Sequence, residues 1–120
     1  MKAFSIFLAN GQESTTDEWY TDAAGKNWPI YRKRLAIAAM ANAAGQDIAH
    51  GVPTIKLNGH FRAISLEASN AGNTARVGLN DIRVTSVVLK DATNITVVNT
   101  GDLTLYVNGS IVIEYCKTTD

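Results

Sequence analysis

A chain of 120 residues supports one hydrophobic core and little more. Its apolar share of 46% against 18% charged residues excludes intrinsic disorder as the default state and leaves a polar surface rich in Asn, Thr and Ser. Lys plus Arg equal Asp plus Glu, and a net charge of zero argues against the basic face that sequence-independent nucleic-acid binding needs.

The apolar run from Phe4 to Ala9 follows Lys2. It is broken by Ser5, is short for the core of a signal peptide and lacks a small-residue cleavage site, so neither export nor a membrane span is expected. Extended, it places Phe4, Ile6 and Leu8 on one face and Ser5, Phe7 and Ala9 on the other. Such an arm suits strand addition to a neighbouring molecule, the alternative being the first strand of its own sheet. Residues 1–17 are therefore read as an arm and linker, and residues 18–120 as a β-sandwich domain.

Gln12 to Asp22 is acidic, rich in Ser and Thr, and expected to be exposed. Trp19, Tyr20, Trp28 and Tyr31 gather both tryptophans and half the tyrosines within thirteen residues. Aromatics in a polar loop anchor it to the core; the competing role is that of a contact surface, where Trp, Tyr and Arg carry most binding energy. Arg32-Lys33-Arg34 is the one basic cluster, and in a strand its charges project to both faces, which suits an edge or interface better than nucleic acid. The interface candidates are Phe4, Ile6, Leu8, Trp19, Tyr20, Trp28, Tyr31, Arg32 and Arg34.

Ile30 to Ile37 reads as a strand. Leu35 to Ala44, with Gly45 just beyond, also fits a short alanine-rich helix. The missing N-cap and the basic residues where negative charge would suit a helix start favour extended chain instead. Ile55 and Leu57 alternate with polar neighbours, and Asn58-Gly59 offers a turn into Phe61–Ala68, with Arg62, Ile64, Leu66 and Ala68 on one face. Ser69 to Asn73 is a loop by composition. Ile82 to Leu89 is dense enough in β-branched residues to be a central strand buried on both faces. Ile95 to Val98 leads into a turn at Asn99-Thr100-Gly101-Asp102, after which Leu103, Leu105 and Val107 alternate with polar neighbours. Asn108-Gly109 predicts a hairpin into Ile111–Tyr115.

Chemistry-bearing motifs are scarce. His50 and His60 lack the spacing that would set them side by side on a helix, and no acidic residue repeats near either as a metal ligand would. His50, before Gly51, reads as a turn or hydrogen-bonding residue. Cys116 has no partner for an internal disulfide and reads as a small core hydrophobe. Asp17 with Glu18, and Asp81 with Asp91, are conceivable acid/base pairs, but nothing in the sequence sets one pKa apart from the other. No catalytic residue, metal or cofactor is expected, and a small hydrolase would require a buried carboxylate pair.

Glu18-Trp19-Tyr20-Thr21-Asp22, followed by Gly25-Lys26 and Trp28-Pro29-Ile30-Tyr31-Arg32-Lys33, resembles the W-x-D-G-K-P-I-Y-R-K opening of a family of small β-sandwich domains of tailed-phage virion proteins. Ile48-Ala49-His50-Gly51-Val52 is similar to that family's V-A-H-G-I, and Ile113 to Asp120 to its Q-Y-T-K-T-T-D ending. This chain departs from the pattern by inserting Ala23-Ala24 and Asn27 and by carrying Cys116 in place of threonine. The resemblance implies an antiparallel, jelly-roll-like sandwich of seven or eight strands, located in a virion after synthesis in the bacterial cytoplasm. The expected function is a non-enzymatic capsid decoration, cement or head-fibre protein that binds the major capsid protein or another virion protein as a homo-oligomer, a trimer in the first instance. A head position is favoured because the chain begins only some seventeen residues before the motif, leaving a fibre no attachment domain unless the arm serves. The alternative is a tail-tip or tail-fibre module binding a host surface glycan through Trp19, Trp28 and Tyr31. Neither nucleic acid nor membrane is an expected partner.

Overall fold

Short runs of β-branched and aromatic residues set between Gly, Asn and Asp leave the chain little option but strands joined by tight turns. The computed structural model describes residues 8–119. They form β1 (Glu13–Thr21), β2 (Asn27–Ile37), β3 (Gly45–Ala49), β4 (Phe61–Asn70), β5 (Arg76–Gly78), β6 (Val84–Leu89), β7 (Asn94–Asn99) and β8 (Tyr106–Tyr115). The described residues contain no helix, so the protein is all-β, and the alanine-rich segment after Ile37 runs as irregular chain with an isolated bridge from Asn42 to Asp102. One sheet has the order β1-β2-β8-β4-β5 and the other β3-β7-β6, with every pairing antiparallel.

A single core draws on both sheets. Leu35, Leu66, Ile111, Ile113 and Tyr115 come from the larger sheet, Val84, Ile95 and Val97 from the smaller, and Met40, Val52, Ile55 and Leu103 from connecting segments. Ile111 to Cys116 are all buried, so β8 is covered on both faces and is the central element of its sheet.

Several sequence expectations require correction. Asn108-Gly109 makes no hairpin: both residues lie within β8, with Gly109 between Ile37 of β2 and Ala68 of β4. The glycine is required by close approach, since a Cβ there would stand 2.8 Å from the Ala68 Cβ and 3.0 Å from the Glu67 carbonyl oxygen. Gly109→Ala should therefore cost about 1–3 kcal/mol through overpacking; a urea midpoint equal to that of the parent would refute this account. Leu103 to Val107 is no separate strand either. The chain turns between Leu103 and Tyr106, whose N–H donates to the Leu103 carbonyl at 3.0 Å, and only from Tyr106 does β8 begin.

Ile82–Leu89 supplies β6, which is an edge strand; the central position in the smaller sheet belongs to β7. Ile55 forms only an isolated bridge to Lys117, and Leu57 is exposed. In β4 a register shift between Ala63 and Ser65 moves the pleat by one residue. Phe61 and Ala63 thereby pack on the core with Leu66 and Ala68, while Arg62 turns to the opposite face. The stretch Gln12–Asp22 is largely exposed, as its composition suggests, and supplies β1.

Candidate interaction face

On the side of the larger sheet away from the core, strict cross-strand pairing brings three charges into one row. Arg32 of β2 lies opposite Glu114 of β8, and Glu114 lies opposite Arg62 of β4. The Glu114 side chain is 1% exposed. The Arg32 Nε donates to Oε2 at 2.5 Å, the Arg62 Nε donates to Oε1 at 2.8 Å, and the His60 Nε2 lies 3.1 Å from Oε1. Glu18 of β1 approaches Arg32 at 3.9 Å. Burial disfavours the charged carboxylate, but hydrogen bonds from Arg62, His60 and Arg32 outweigh it and hold the Glu114 carboxyl below its ordinary range. An anion fixed in this way accepts hydrogen bonds at neutral pH and has no proton to donate. Chemically the row is a clamp that locks β2, β8 and β4 together and leaves Arg62, 59% exposed, at the surface.

Beside this row, the β1–β2 hairpin turns through Asp22 to Lys26, with Gly25 at a φ of 82° that glycine adopts without strain. The Asp22 carboxylate organises the turn. It accepts the N–H groups of Ala24 and Lys26 and the indole N–H of Trp28, each at 2.9 Å. The Trp28 bond contributes most to holding the Asp22 carboxyl below its usual range. The ammonium groups of Lys26 and Lys56 lie 4.2 and 4.6 Å from the Trp28 ring centroid. Tyr20, opposite Trp28, approaches the His60 ring with centroids 6.1 Å apart.

The other face of the hairpin carries different chemistry. Trp19 pairs with Pro29 and Tyr20 with Trp28, so the two tryptophans project to opposite sides. Trp19 is 62% exposed. Tyr31, on its side of the pleat, is buried against Tyr115, with ring centroids 6.2 Å apart, and the Lys117 ammonium sits 4.2 Å from its ring. The Tyr115 hydroxyl donates to Glu13, and Lys117 bonds the same carboxylate at 2.9 Å. Burial first, then the Glu13 carboxylate, pushes the Tyr115 phenol up, so it stays protonated.

The remaining candidates distribute as follows. Arg32 is buried in the row with Glu114, and Arg34, next on the same face, donates to the Ser110 hydroxyl at 2.6 Å. The basic triplet does alternate between faces, Lys33 donating to the Gly51 carbonyl at 3.1 Å, but β2 is an interior strand and not an edge. Leu8 is buried, and Phe4 and Ile6 lie outside the described residues. His50 is buried and hydrogen-bonded: Nδ1 accepts the Val52 N–H, which leaves Nε2 to donate to the Asp91 carbonyl. Cys116 is buried, and that burial raises its thiol pKa. Asp81 is taken by Arg83 through two contacts, and the Asp91 carboxylate accepts the N–H groups of Thr93 and Asn94.

Sequence reasoning did not single out Glu114, weighed His60 only as a metal ligand, and placed Arg62 on a strand face without a role. A usable signal was present, since a lone carboxylate inside the apolar run Ile111–Cys116 requires buried cationic partners. Among the described residues, no group of three or more His, Cys, Asp or Glu side chains is placed to hold a metal ion. No protein-family model, no curated protein and no solved structure matches this chain.

Proposed function

We propose that this protein is a non-enzymatic structural component of a tailed-bacteriophage virion, a capsid decoration, cement or head-fibre protein that binds the particle surface as a homo-oligomer. The supporting observation is where the three separated strings of the family resemblance lie. The opening string forms the β1–β2 hairpin, the closing string starts in the last three residues of β8, and the two meet through Arg32 with Glu114 and Tyr31 with Tyr115. The middle string joins them through the Lys33 bond to the Gly51 carbonyl. Residues dispersed over a hundred positions thus form one contiguous unit, as expected of a module whose motifs are shaped by a common structural demand. In this reading the two antiparallel sheets are a jelly-roll-like sandwich, and the apolar N-terminal residues are an arm that reaches a neighbour.

The glycan-binding alternative rests on Trp19 alone. Trp28 projects to the other side of the hairpin beneath two lysines, and Tyr31 is buried, so the three aromatics do not form one stacking platform. Quantitative mass spectrometry of purified particles tests the proposal. Hundreds of copies per particle are expected for capsid decoration; a handful would favour a tail-tip module, and absence from the particle would end the virion reading.

A further inference from the structure

Asn-Gly occurs three times in this chain, at Asn10-Gly11, Asn58-Gly59 and Asn108-Gly109. A glycine has no Cβ to shield its main-chain nitrogen, so that nitrogen can reach the carboxamide of the asparagine before it. The attack makes two demands on the fold. The glycine N–H must be free to lose its proton, and the main chain must swing until the asparagine side chain and the next amide close one ring.

Two of the three sites meet neither demand. The Gly11 N–H donates to the Arg34 carbonyl at 2.6 Å, and the turn around it is closed by the Gln12 N–H on the Ala9 carbonyl at 2.9 Å. Asn108 and Gly109 lie inside β8, with Asn108 opposite Ser69 and Gly109 opposite both Ile37 and Ala68. A strand paired on both sides cannot rotate its backbone without breaking its ladders.

Asn58-Gly59 differs on each count. Leu57 and Asn58 form a turn before β4, and Asn58 is exposed. Among the described residues no hydrogen bond of normal geometry holds the Gly59 N–H, whereas such bonds close the turns at Val52–Ile55 and Leu103–Tyr106. The segment is anchored on either side, by the Lys56 N–H on the Cys116 carbonyl at 2.9 Å and by Phe61 opposite Tyr115. Rotation at Asn58, between these anchors, breaks no strand pairing.

We propose that Asn58 is a site of spontaneous modification, converted by water to aspartate and isoaspartate through a cyclic imide with Gly59. The Gly59 nitrogen gives up its proton and attacks the Asn58 Cγ. The bond from Cγ to Nδ2 breaks, and ammonia leaves with the proton. Water then opens the imide at one of its two carbonyls. Opening at Cγ leaves aspartate; opening at the main-chain carbonyl leaves isoaspartate, whose chain continues through Cβ. Either product moves the formal net charge from zero to minus one. Isoaspartate also lengthens the main chain by a carbon between the anchors at Lys56 and Phe61. The site stands on the geometry of one turn and is independent of any particle surface, so it goes beyond the virion reading.

Peptide mapping by mass spectrometry, on the full folded chain incubated at neutral and at alkaline pH, tests it. Trypsin releases residues 57–62, in which Asn58 is the only asparagine. That peptide should yield two products of equal mass, both with OH in place of NH2, and both should form faster at alkaline pH. Asn58 should convert more than about tenfold faster than Asn10 or Asn108, whose glycine amides need local opening first. In urea the turn, the bond to Arg34 and the β8 ladders are lost together, and the three rates should converge. Asn58→Gln, whose longer side chain disfavours the ring, should abolish the acidic species that the parent protein develops on isoelectric focusing. An Asn58 that stays intact or converts no faster than Asn10 or Asn108 overturns the proposal. So does a ranking that persists unchanged in urea, or an acidic species that Asn58→Gln still forms.

Discussion

Glu114→Gln is expected to lower the unfolding free energy by about 3–5 kcal/mol at neutral pH, the range for removing one partner of a buried ion pair. Arg32 is 8% exposed and would keep its charge while losing its nearest carboxylate, with Glu18 at 3.9 Å. The carboxamide keeps the shape of the side chain, so little of the loss is cavity formation. Its one oxygen cannot serve Arg32, Arg62 and His60 as two carboxylate oxygens do, and its NH2 group would face donors. The pH dependence supplies a second readout. Glu114 is held below its ordinary value of 4.5, so its stabilisation is complete above that value and is lost as pH falls through the lower folded-state pKa. Urea unfolding of parent and variant should show a wide gap at pH 7 that narrows on acidification. A gap below about 1 kcal/mol at pH 7, or one that does not change down to the acid-unfolding limit, would contradict the clamp.

The same geometry bears on function. The most buried carboxylate of the described residues lies under two arginines, at the crossing of three strands. Such a group specifies register: sliding β2 or β4 by one residue along β8 would bury Glu114 without its cations. Its cost in desolvation is balanced by a gain in uniqueness of pairing.

How far the sequence could be read follows from the kind of signal at each element. β2, β4 and β7 were legible because runs of β-branched and aromatic residues end at loops and turns. β1 was not, because Ser, Thr and acidic residues dominate it; it is a strand through pairing with β2 and a Thr16 hydroxyl that donates to the Ile30 carbonyl at 2.8 Å. The edge position of β6 was hidden since β-branched density reports strand propensity and not place in a sheet. The bulge in β4 has no marker in its residues, yet it decides that Arg62 joins Glu114. Asn-Gly failed as a hairpin signal at Asn108-Gly109 because β2 and β4 flank the chain closely there, and a glycine admits that approach as readily as it admits a turn. The row of Arg32, Glu114 and Arg62 needed the register of three strands, which local pattern does not contain.

Leu103 and Leu105 turn that lesson into a measurement. By alternation alone they are equivalent positions on one face of a strand, and truncating either should cost the same. In the fold Leu103 is 0% exposed and part of the common core, whereas Leu105 is 60% exposed in the turn that leads into β8. The turn separates them: Asp102 accepts the Thr104 N–H at 3.0 Å, the Tyr106 N–H reaches back to the Leu103 carbonyl, and the Leu103 N–H donates to the Ala41 carbonyl at 3.1 Å. Leu103 is thereby drawn under the segment that follows β2, and Leu105 is left at the apex. Leu103→Ala should cost about 2–5 kcal/mol, through lost transfer energy and the cavity left behind. Leu105→Ala should stay within about 0.5 kcal/mol of the parent protein. Paired urea melts decide the matter. Equal losses at the two sites would restore the strand that alternation predicts, and a larger loss at Leu105 would place the apex inside the core.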